Sequence, residues 1–307
     1  MKIKKIINII ILLSVITFIF SYLGKYHWIP DFFSHFRMYY FFFFSIAIVY
    51  CITLKKYIKS GIIFILLLCI IIEIFPFYKQ KKLEQAENSL KVGSINLLSF
   101  NKEYSALENF LKKENFDLFF VYELSPAWEF KINQITGLYP FKKLIVRDDF
   151  FGIGLYSKIP LTSSKKAYFS EIKVPSIVAD LKFEDKPITI IGTHPEPPNS
   201  KEGFNSRNEQ FENINQLVTQ SKNSIIIVGD FNCSSFSANM NRLTKNTTLT
   251  DSRIGFGIQN SWNAKNILFS IAIDHCFITN DFNVINRKIG PYIGSDHYPI
   301  SVTLNFK

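Results

Sequence analysis

Apolar residues are distributed in two different ways along this chain. Up to residue 77 they form three long runs, Ile6–Tyr22, Met38–Leu54 and Gly61–Phe77; from residue 91 onward they come in short bursts separated by polar turns. A helix crossing a hydrocarbon core needs ~17–25 apolar residues, and each run is close to that length. Buried core helices are the competing reading, but a water-soluble core has little use for Phe41-Phe42-Phe43-Phe44 beside two further runs this apolar. The pattern predicts a membrane region over residues 1–78 with about three transmembrane helices. Residues 79–90, rich in Gln, Glu and Lys, read as a helical or irregular connector, and residues 91–307 as a second domain.

Within 91–307 the pattern alternates between strand and helix periods. Val92–Leu98, Asp117–Tyr122 and Phe151–Tyr156 predict strands, and Tyr104–Glu114 a helix with Leu107, Phe110 and Leu111 at helical spacing. Lys158-Ile159-Pro160-Leu161 reads as a turn. Ile177–Phe183 and Ile188–Gly192 read as a hairpin about Glu184-Asp185-Lys186-Pro187. A loop over Pro195–Gly203 then precedes a helix over Ser206–Ser221, and Ser224–Val228, almost all β-branched, is a buried strand. Ile273–Ile278, Phe282–Ile289 and Ser301–Phe306 complete the strands. Many strands with few helices predict an α/β fold of two packed mixed sheets flanked by helices, rather than a doubly wound parallel sheet.

Charge follows the same division. Residues 1–82 carry eleven Lys/Arg against two acids, Asp31 and Glu73, whereas the remainder carries 24 basic and 23 acidic residues, a net of +1. The broad cationic footprint expected of a nucleic-acid binder is therefore absent from the second domain by bulk charge. Lys2, Lys4 and Lys5 precede the first run as they would in a signal peptide, but no small-x-small cleavage site follows Phe20-Ser21-Tyr22-Leu23, which favours an uncleaved anchor. Counting short-loop Lys and Arg places the N-terminus and Lys55, Lys56 and Lys59 on one side, six residues, and Lys25, Arg37, Lys79, Lys81 and Lys82 on the other, five. That balance favours a cytoplasmic N-terminus and, after three crossings, an extracytoplasmic second domain in a multi-pass cell-membrane protein. Cys51 and Cys69 lie in the apolar runs and Cys233 and Cys276 in strand contexts, so no disulfide framework is implied.

Polar residues recur where the apolar strands run out: Glu123, Thr193-His194, Gly229-Asp230-Phe231-Asn232 and Gly294-Ser295-Asp296-His297. Carboxylates and amides offer oxygen to a hard divalent cation, and imidazoles offer proton chemistry. In an extended chain Asp230 and Asn232 face the same side; an Asx turn closing the strand is the alternative. His275, directly after Asp274, points to the opposite face and is expected to pack in the core. His27 and His35, between the apolar runs, read as interfacial, and Glu73 is given no role.

Asn96, Glu123, Thr193-His194, Gly229-Asp230-Phe231-Asn232, Ile273-Asp274-His275 and Ser295-Asp296-His297, in this order and spacing, resemble the endonuclease/exonuclease/phosphatase superfamily, the DNase I-like fold, over about residues 91–307. The resemblance implies a four-layer α/β sandwich and phosphoester hydrolysis dependent on Mg²⁺ (or Mn²⁺). It assigns the metal to Glu123, with Asn96 assisting and Asp296 nearby. Asp230 would position or deprotonate the attacking water, and Asn232 would contact phosphate. His297, oriented by Asp274, would stabilise the transition state, while His194 approaches the phosphate from the other side. Arg207 and Gln210 match an Arg/Gln helix feature of the family, which implies a substrate contact for Arg207, with a solvated helix face as the alternative. Trp262 either flanks the substrate or packs. Two positions depart from the family pattern: Tyr122 stands where Gln commonly precedes the metal carboxylate, and Ile271-Ala272-Ile273 lacks the frequent Arg ahead of Asp274.

N-terminal spans joined to such a domain are similar to a bacterial membrane-anchored branch of the superfamily. That points to a lipid or envelope-associated phosphoester as substrate. A membrane-tethered nuclease acting on nucleic acid is the main alternative, and a non-catalytic membrane-tethered binding module is a third. Nothing in the sequence sets the oligomeric state.

Overall fold

The computed structural model describes residues 2–79, 88–135 and 137–307. Its N-terminal part is helical: α1 (Lys2–Ser21), a 3₁₀ turn (Tyr22–Lys25), α2 (Trp28–Ser34), α3 (Arg37–Thr53) and α4 (Tyr57–Tyr78). Two helical stretches, Lys2–Lys25 and Tyr57–Tyr78, are long and apolar enough to cross a membrane, and the bent pair α2–α3, broken by 65°, makes a third if it is one span. The middle run, Met38–Leu54, is matched by α3 over nearly its whole length, and α2 ahead of it turns away to lie on the second domain. Most of the connector expected over 79–90 falls outside the described residues.

The second domain follows in the order β1 (Leu90–Asn96), α5 (Tyr104–Glu114), β2 (Leu118–Tyr122), α6 (Pro126–Ile135), β3 (Phe141–Ile145), β4 (Ile153–Ser157), β5 (Leu161–Tyr168), β6 (Pro175–Phe183), β7 (Lys186–Thr193), α7 (Lys201–Gln220), β8 (Ser224–Asp230), α8 (Asn241–Thr244), β9 (Thr250–Asp251), β10 (Asp274–Ile278), β11 (Phe282–Ile289) and β12 (Ile300–Phe306). These strands form two six-stranded mixed sheets, β11-β12-β1-β2-β4-β3 and β5-β6-β7-β8-β10-β9. The central pairs β1–β2 and β7–β8 are parallel and the flanking pairs antiparallel. Leu118, Phe120 and Tyr122 point inward against Ile190, Ile226 and Val228 of the other sheet, while Phe119 and Val121 point outward beneath α5 and α6. On the far side Ile225 and Ile227 pack under Phe211, Ile214 and Val218 of α7. Helix, sheet, sheet and helix make four layers, and strands buried on both faces read as continuous apolar runs for that reason.

Several local expectations shift. α7 begins at Lys201, not Ser206, because Ser200 caps it by accepting the Gly203 N–H at 3.1 Å. The β6–β7 turn is tighter than the four residues expected: Glu184 and Asp185 both sit at positive φ and Phe183 already pairs with Lys186, the geometry of a two-residue hairpin. α6, β3, β5 and β9 have no counterpart in the hydrophobic pattern. β5 starts at Leu161, inside the expected turn, and as an edge strand with mostly exposed Ser and Lys it lacks an alternation to read. All four cysteines are free.

The helical part and the second domain share a core. Phe77 of α4 packs on Phe236, and Ile258 and Ala272 join the cluster built from Phe18, Phe44, Ile70 and Ile74. The Gly257 N–H donates to the Phe77 carbonyl at 2.7 Å.

Candidate functional site

The C-terminal ends of the two central parallel pairs meet across the sandwich. Asn96 ends β1 and Glu123 follows β2; Asp230 ends β8 and His194 follows β7. Inward alternation along β1 (Val92, Ser94, Asn96) and β8 (Ile226, Val228, Asp230) brings Asn96 and Asp230 face to face. The Asn96 amide donates to Asp230 Oδ2 and to Glu123 Oε1, each at 3.2 Å. Its carbonyl is taken by the Leu98 N–H at 3.0 Å. Asn96 thereby spaces the two carboxylates.

Glu123 adopts φ 59°, uncommon for a residue with a Cβ. That twist turns its carboxylate toward Ser99, whose N–H donates to Oε2 at 3.0 Å. Tyr122, at the position where the family pattern prefers Gln, donates its hydroxyl to the Val228 carbonyl at 2.6 Å. It pins one sheet to the other two residues before Asp230, a positioning role no motif announced.

Asp230 is fixed by its own turn. The chain leaves the strand there, Asn232 takes φ 46°, and the Asn232 N–H donates to Asp230 Oδ1 at 2.9 Å. The extended geometry expected for Asp230 and Asn232 is replaced by this Asx turn. Asn232 then sends its side-chain amide to the Pro195 carbonyl at 3.0 Å. Gly229 allows the crowding: a Cβ there would lie 1.9 Å from the Thr193 carbonyl oxygen, so the close approach that puts His194 beside Asp230 needs glycine.

Asp230 and Asp274 are cross-strand partners in the β8–β10 register. Two carboxylates directly opposite repel, and His297 resolves the repulsion. Its Nδ1 lies 2.9 Å from Asp274 Oδ2 and its Nε2 3.4 Å from Asp230 Oδ2. Burial disfavours the imidazolium, but Asp274 and Asp230, helped by Asp296, outweigh it and push the His297 pKa up to about 10. His194 completes the cluster from the β7 side, with Nε2 3.5 Å from Asp230 Oδ2 and its ring against Phe151 and Tyr122. Its buried Nδ1 has no hydrogen-bond partner among the described residues.

Asp230, Asp274 and His297 offer ligand atoms within 4.8 Å of one another. Both ring nitrogens of His297 already face carboxylates, so oxygen is the donor left for a cation. Glu123 and Asp230 are held together by Asn96. Buried Oδ1 atoms of Asp274 and Asp296 have no protein partner among the described residues. Unpaired buried carboxylate oxygen is costly unless a cation meets it, and such a donor set fits a hard divalent metal. Asp296 is aimed by Trp262, whose indole N–H donates to its Oδ2 at 3.0 Å. Trp262 in turn bridges its backbone to Ile271 and His297.

Arg207 and Gln210 lie neither at the substrate side nor on a solvated helix face. Both are fully buried under the site. Gln210 donates to Thr193 Oγ1 at 2.6 Å, next to His194, and Arg207 reaches the Asn232 carbonyl at 3.3 Å. The expected substrate contact of Arg207 is replaced by a salt bridge to Asp31 of α2 at 2.8 Å. Asp31 also accepts from Ser237 and Asn239. His35, expected at an interface, is buried with Nδ1 2.9 Å from Ser234 Oγ; His27 is exposed and caps α2. Glu73 pairs with Arg37 at 2.6 Å and Tyr22 at 2.8 Å. His275 is enclosed between Arg253 Nη2 at 3.1 Å and the Cys233 carbonyl at 2.7 Å.

Residues 93–297 match the model of the Endonuclease/Exonuclease/phosphatase family. No curated protein matches the sequence significantly. Among solved structures, Danio rerio TDP2 in complex with a single-strand DNA product superposes with a TM-score of 0.62 at 17% identity, over 71% of this chain and 100% of that one. A family protein from Leptotrichia buccalis gives 0.59 at 15% identity, over 71% and 100%. One from Bacteroides thetaiotaomicron gives 0.58 at 17%, over 73% and 100%. At these identities the likeness is one of fold.

Proposed function

Because this chain belongs to the Endonuclease/Exonuclease/phosphatase family, we propose that it is a membrane-anchored, divalent-metal-dependent hydrolase of phosphoester bonds whose substrate is a lipid or envelope-associated phosphoester. One observation carries the reading of the chemistry: His297 is buried with its two ring nitrogens facing the carboxylates of Asp230 and Asp274, an arrangement that favours the imidazolium. A buried imidazolium is what a phosphoryl group acquiring negative charge requires. In this reading Asp230, flanked by His194, orients and deprotonates water, and the neighbouring Asn232 contacts phosphate. Glu123 and Asp296, with Asp230 and Asp274 adjoining, supply the oxygen that would hold Mg²⁺ or Mn²⁺. The cation, when bound, neutralises phosphate charge.

The lipid preference rests on placement. Residues 79–90 span at most ~3.3–3.6 Å each, and α2 and α4 pack directly on the domain, so the site stays near whatever bilayer the helices enter. Tethering raises the effective concentration of substrates there. A net charge of +1 over residues 83–307 gives little of the electrostatic affinity on which DNA binding relies. The similarity to a TDP2 structure complexed with a single-strand DNA product keeps a tethered nuclease as the second reading. With Mg²⁺, full-length protein in nanodiscs should cleave lipid phosphoesters with higher kcat/KM than DNA and with weak salt dependence. DNA cleavage falling steeply with salt, without lipid turnover, would establish the nuclease. We further propose an extracytoplasmic domain: a C-terminal reporter active only outside the cytoplasm should be bright, and a cytoplasm-only reporter dark.

A further inference from the structure

A cavity of about 280 Å³ opens beside the catalytic cluster, between α2 and the loops that follow β7 and precede β10. Its apolar wall is Phe32, Pro197, Pro198, Trp262, Ile271 and Ile273, and none of its lining residues is Lys, Arg, Asp or Glu. Two residues join it to the chemistry. Asn232 lines it while donating its N–H to Asp230, and Trp262 lines it while bonding Asp296 and pairing with His297. Phe32 comes from the helical part of the chain, so the cavity exists only where that part meets the second domain.

The segment between Trp262 and Ile271 adds an independent observation. Ile267, Leu268 and Phe269 form a 3₁₀ turn whose three side chains are 74%, 78% and 61% exposed. Ser270, next in sequence, accepts the Tyr39 hydroxyl at 2.8 Å, which ties this turn to the first residues of α3. Three adjacent exposed apolar side chains, two to four residues before the cavity residue Ile271, are costly in water and stable in a bilayer interface. Phe32, which lines the cavity, is itself 52% exposed.

We infer that this cavity holds the first segment of the substrate's apolar chain while its phosphate sits at His194, Asp230 and His297, and that the chain enters sideways from the bilayer past Ile267–Phe269. The inference rests on the phosphoesterase reading above and narrows its substrate to amphiphiles whose apolar chain starts next to the scissile phosphate. A volume near the lower end of the ~300–1,000 Å³ of ligand pockets takes part of a chain and leaves the rest in lipid. Nucleic acid carries charged phosphates on both sides of the scissile one, and only its bases, set off from the phosphate by a sugar, could stack in an uncharged cavity.

The test uses full-length protein in nanodiscs with Mg²⁺ and alkyl phosphodiesters of one headgroup with chains of two to sixteen carbons, alongside soluble bis-p-nitrophenyl phosphate. Each CH₂ that enters the cavity should raise kcat/KM by up to ~4-fold, levelling off once the cavity is full. Phe32→Ala and Ile271→Ser should each lower the long-chain to short-chain ratio by at least ~10-fold. Wild type and variants meet the same nanodiscs, so partitioning cancels in that ratio. An Ile267→Ser/Leu268→Ser/Phe269→Ser variant should lose turnover of bilayer-embedded substrate relative to the soluble diester. If short and soluble phosphodiesters are cleaved but chain length has no effect, or the variants leave the ratio unchanged, the chain site is wrong and the phosphoesterase stands. If no phosphoester is cleaved, the parent reading fails. The chain site is then judged by binding, where dodecylphosphonate must outcompete ethylphosphonate in wild type but not in Phe32→Ala.

Discussion

Two buried histidines on neighbouring elements show how similar sequence contexts yield opposite electrostatics. His275 follows Asp274 on β10, and His297 follows Asp296 ahead of β12; each is enclosed and each lies near carboxylate. At His275 burial and the Arg253 guanidinium push the pKa down, against the pull of Asp251. At His297 carboxylates face both ring nitrogens without a guanidinium between them, and the pKa rises to about 10. A carboxylate already balanced by Arg is a closed unit, and its histidine stays neutral to hold the Cys233 carbonyl. Carboxylates left unbalanced around His297 form an open unit, the one to which the proposed function assigns the cation and the ester. Charge balance, not the Asp-His pairing itself, separates scaffold from chemistry.

The largest expected effect breaks the open unit at its metal side. Excess EDTA, or Glu123→Ala, should cut phosphodiester turnover by at least ~10³-fold, since the cation supplies several kcal/mol of charge stabilisation. Circular dichroism should show the domain still folded, and full activity in EDTA would overturn the assignment. Next comes a closed unit of the same design as Asp251–Arg253, the buried pair Asp31–Arg207. Asp31→Ala leaves an uncompensated guanidinium and should cost about 3–5 kcal/mol, read by denaturant unfolding in micelles. The double variant Asp31→Leu/Arg207→Met should recover much of that stability. Recovery of stability without recovery of activity would show that Arg207 also positions Asn232.

Asp31 also marks where sequence reading stops. Polar residues at strand ends announced Glu123, His194, Asp230 and His297, because a sheet rim is where the chain can hold such groups rigidly. The two sheets and their flanking helices followed from apolar runs buried on both faces. Asp31 is separated from Arg207 by 176 residues and sits in an otherwise apolar segment, so no local pattern could join them. Tyr122 was legible only as core, although its hydroxyl spans the sheets. β5 was invisible because an edge strand needs no alternation, and the early start of α7 lay in Ser200, a capping signal inside what read as loop. The cavity at Phe32 was out of reach for the reason that hid Asp31: it needs the two parts of the chain in contact.

The histidine comparison is sharpened by paired substitutions. His297→Ala should lower kcat by ~10²–10³-fold, the scale for removing one preorganised charge-stabilising group, with a modest change in folding. His275→Ala should instead cost about 2 kcal/mol of stability, as expected for opening a buried hydrogen-bonded cluster, while the folded protein keeps most of its turnover. Interchange of these two phenotypes would place the reaction at the wrong histidine.

The finest test follows the proton on His297 in metal-free protein. Its pKa is about 10 in the folded state against an ordinary 6.5, so folding favours the protonated form. The resulting stabilisation is complete below about pH 6.5, where folded and unfolded chains are both protonated. It declines as pH rises and only the unfolded chain releases its proton, and it is gone above about pH 10. The stability difference between wild type and His297→Gln, measured in EDTA by urea unfolding, should therefore be flat at acid pH. It should then shrink by up to ~1.4 kcal/mol per pH unit between about pH 7 and 9. Taking this as a difference cancels the lysines and tyrosines that titrate in the same window. Mg²⁺ should flatten the slope, because a cation beside Asp230 and Asp274 competes with the imidazolium for the same carboxylates. A difference that grows with pH would mean His297 is neutral when folded, and the open unit would then be another scaffold like the one around His275.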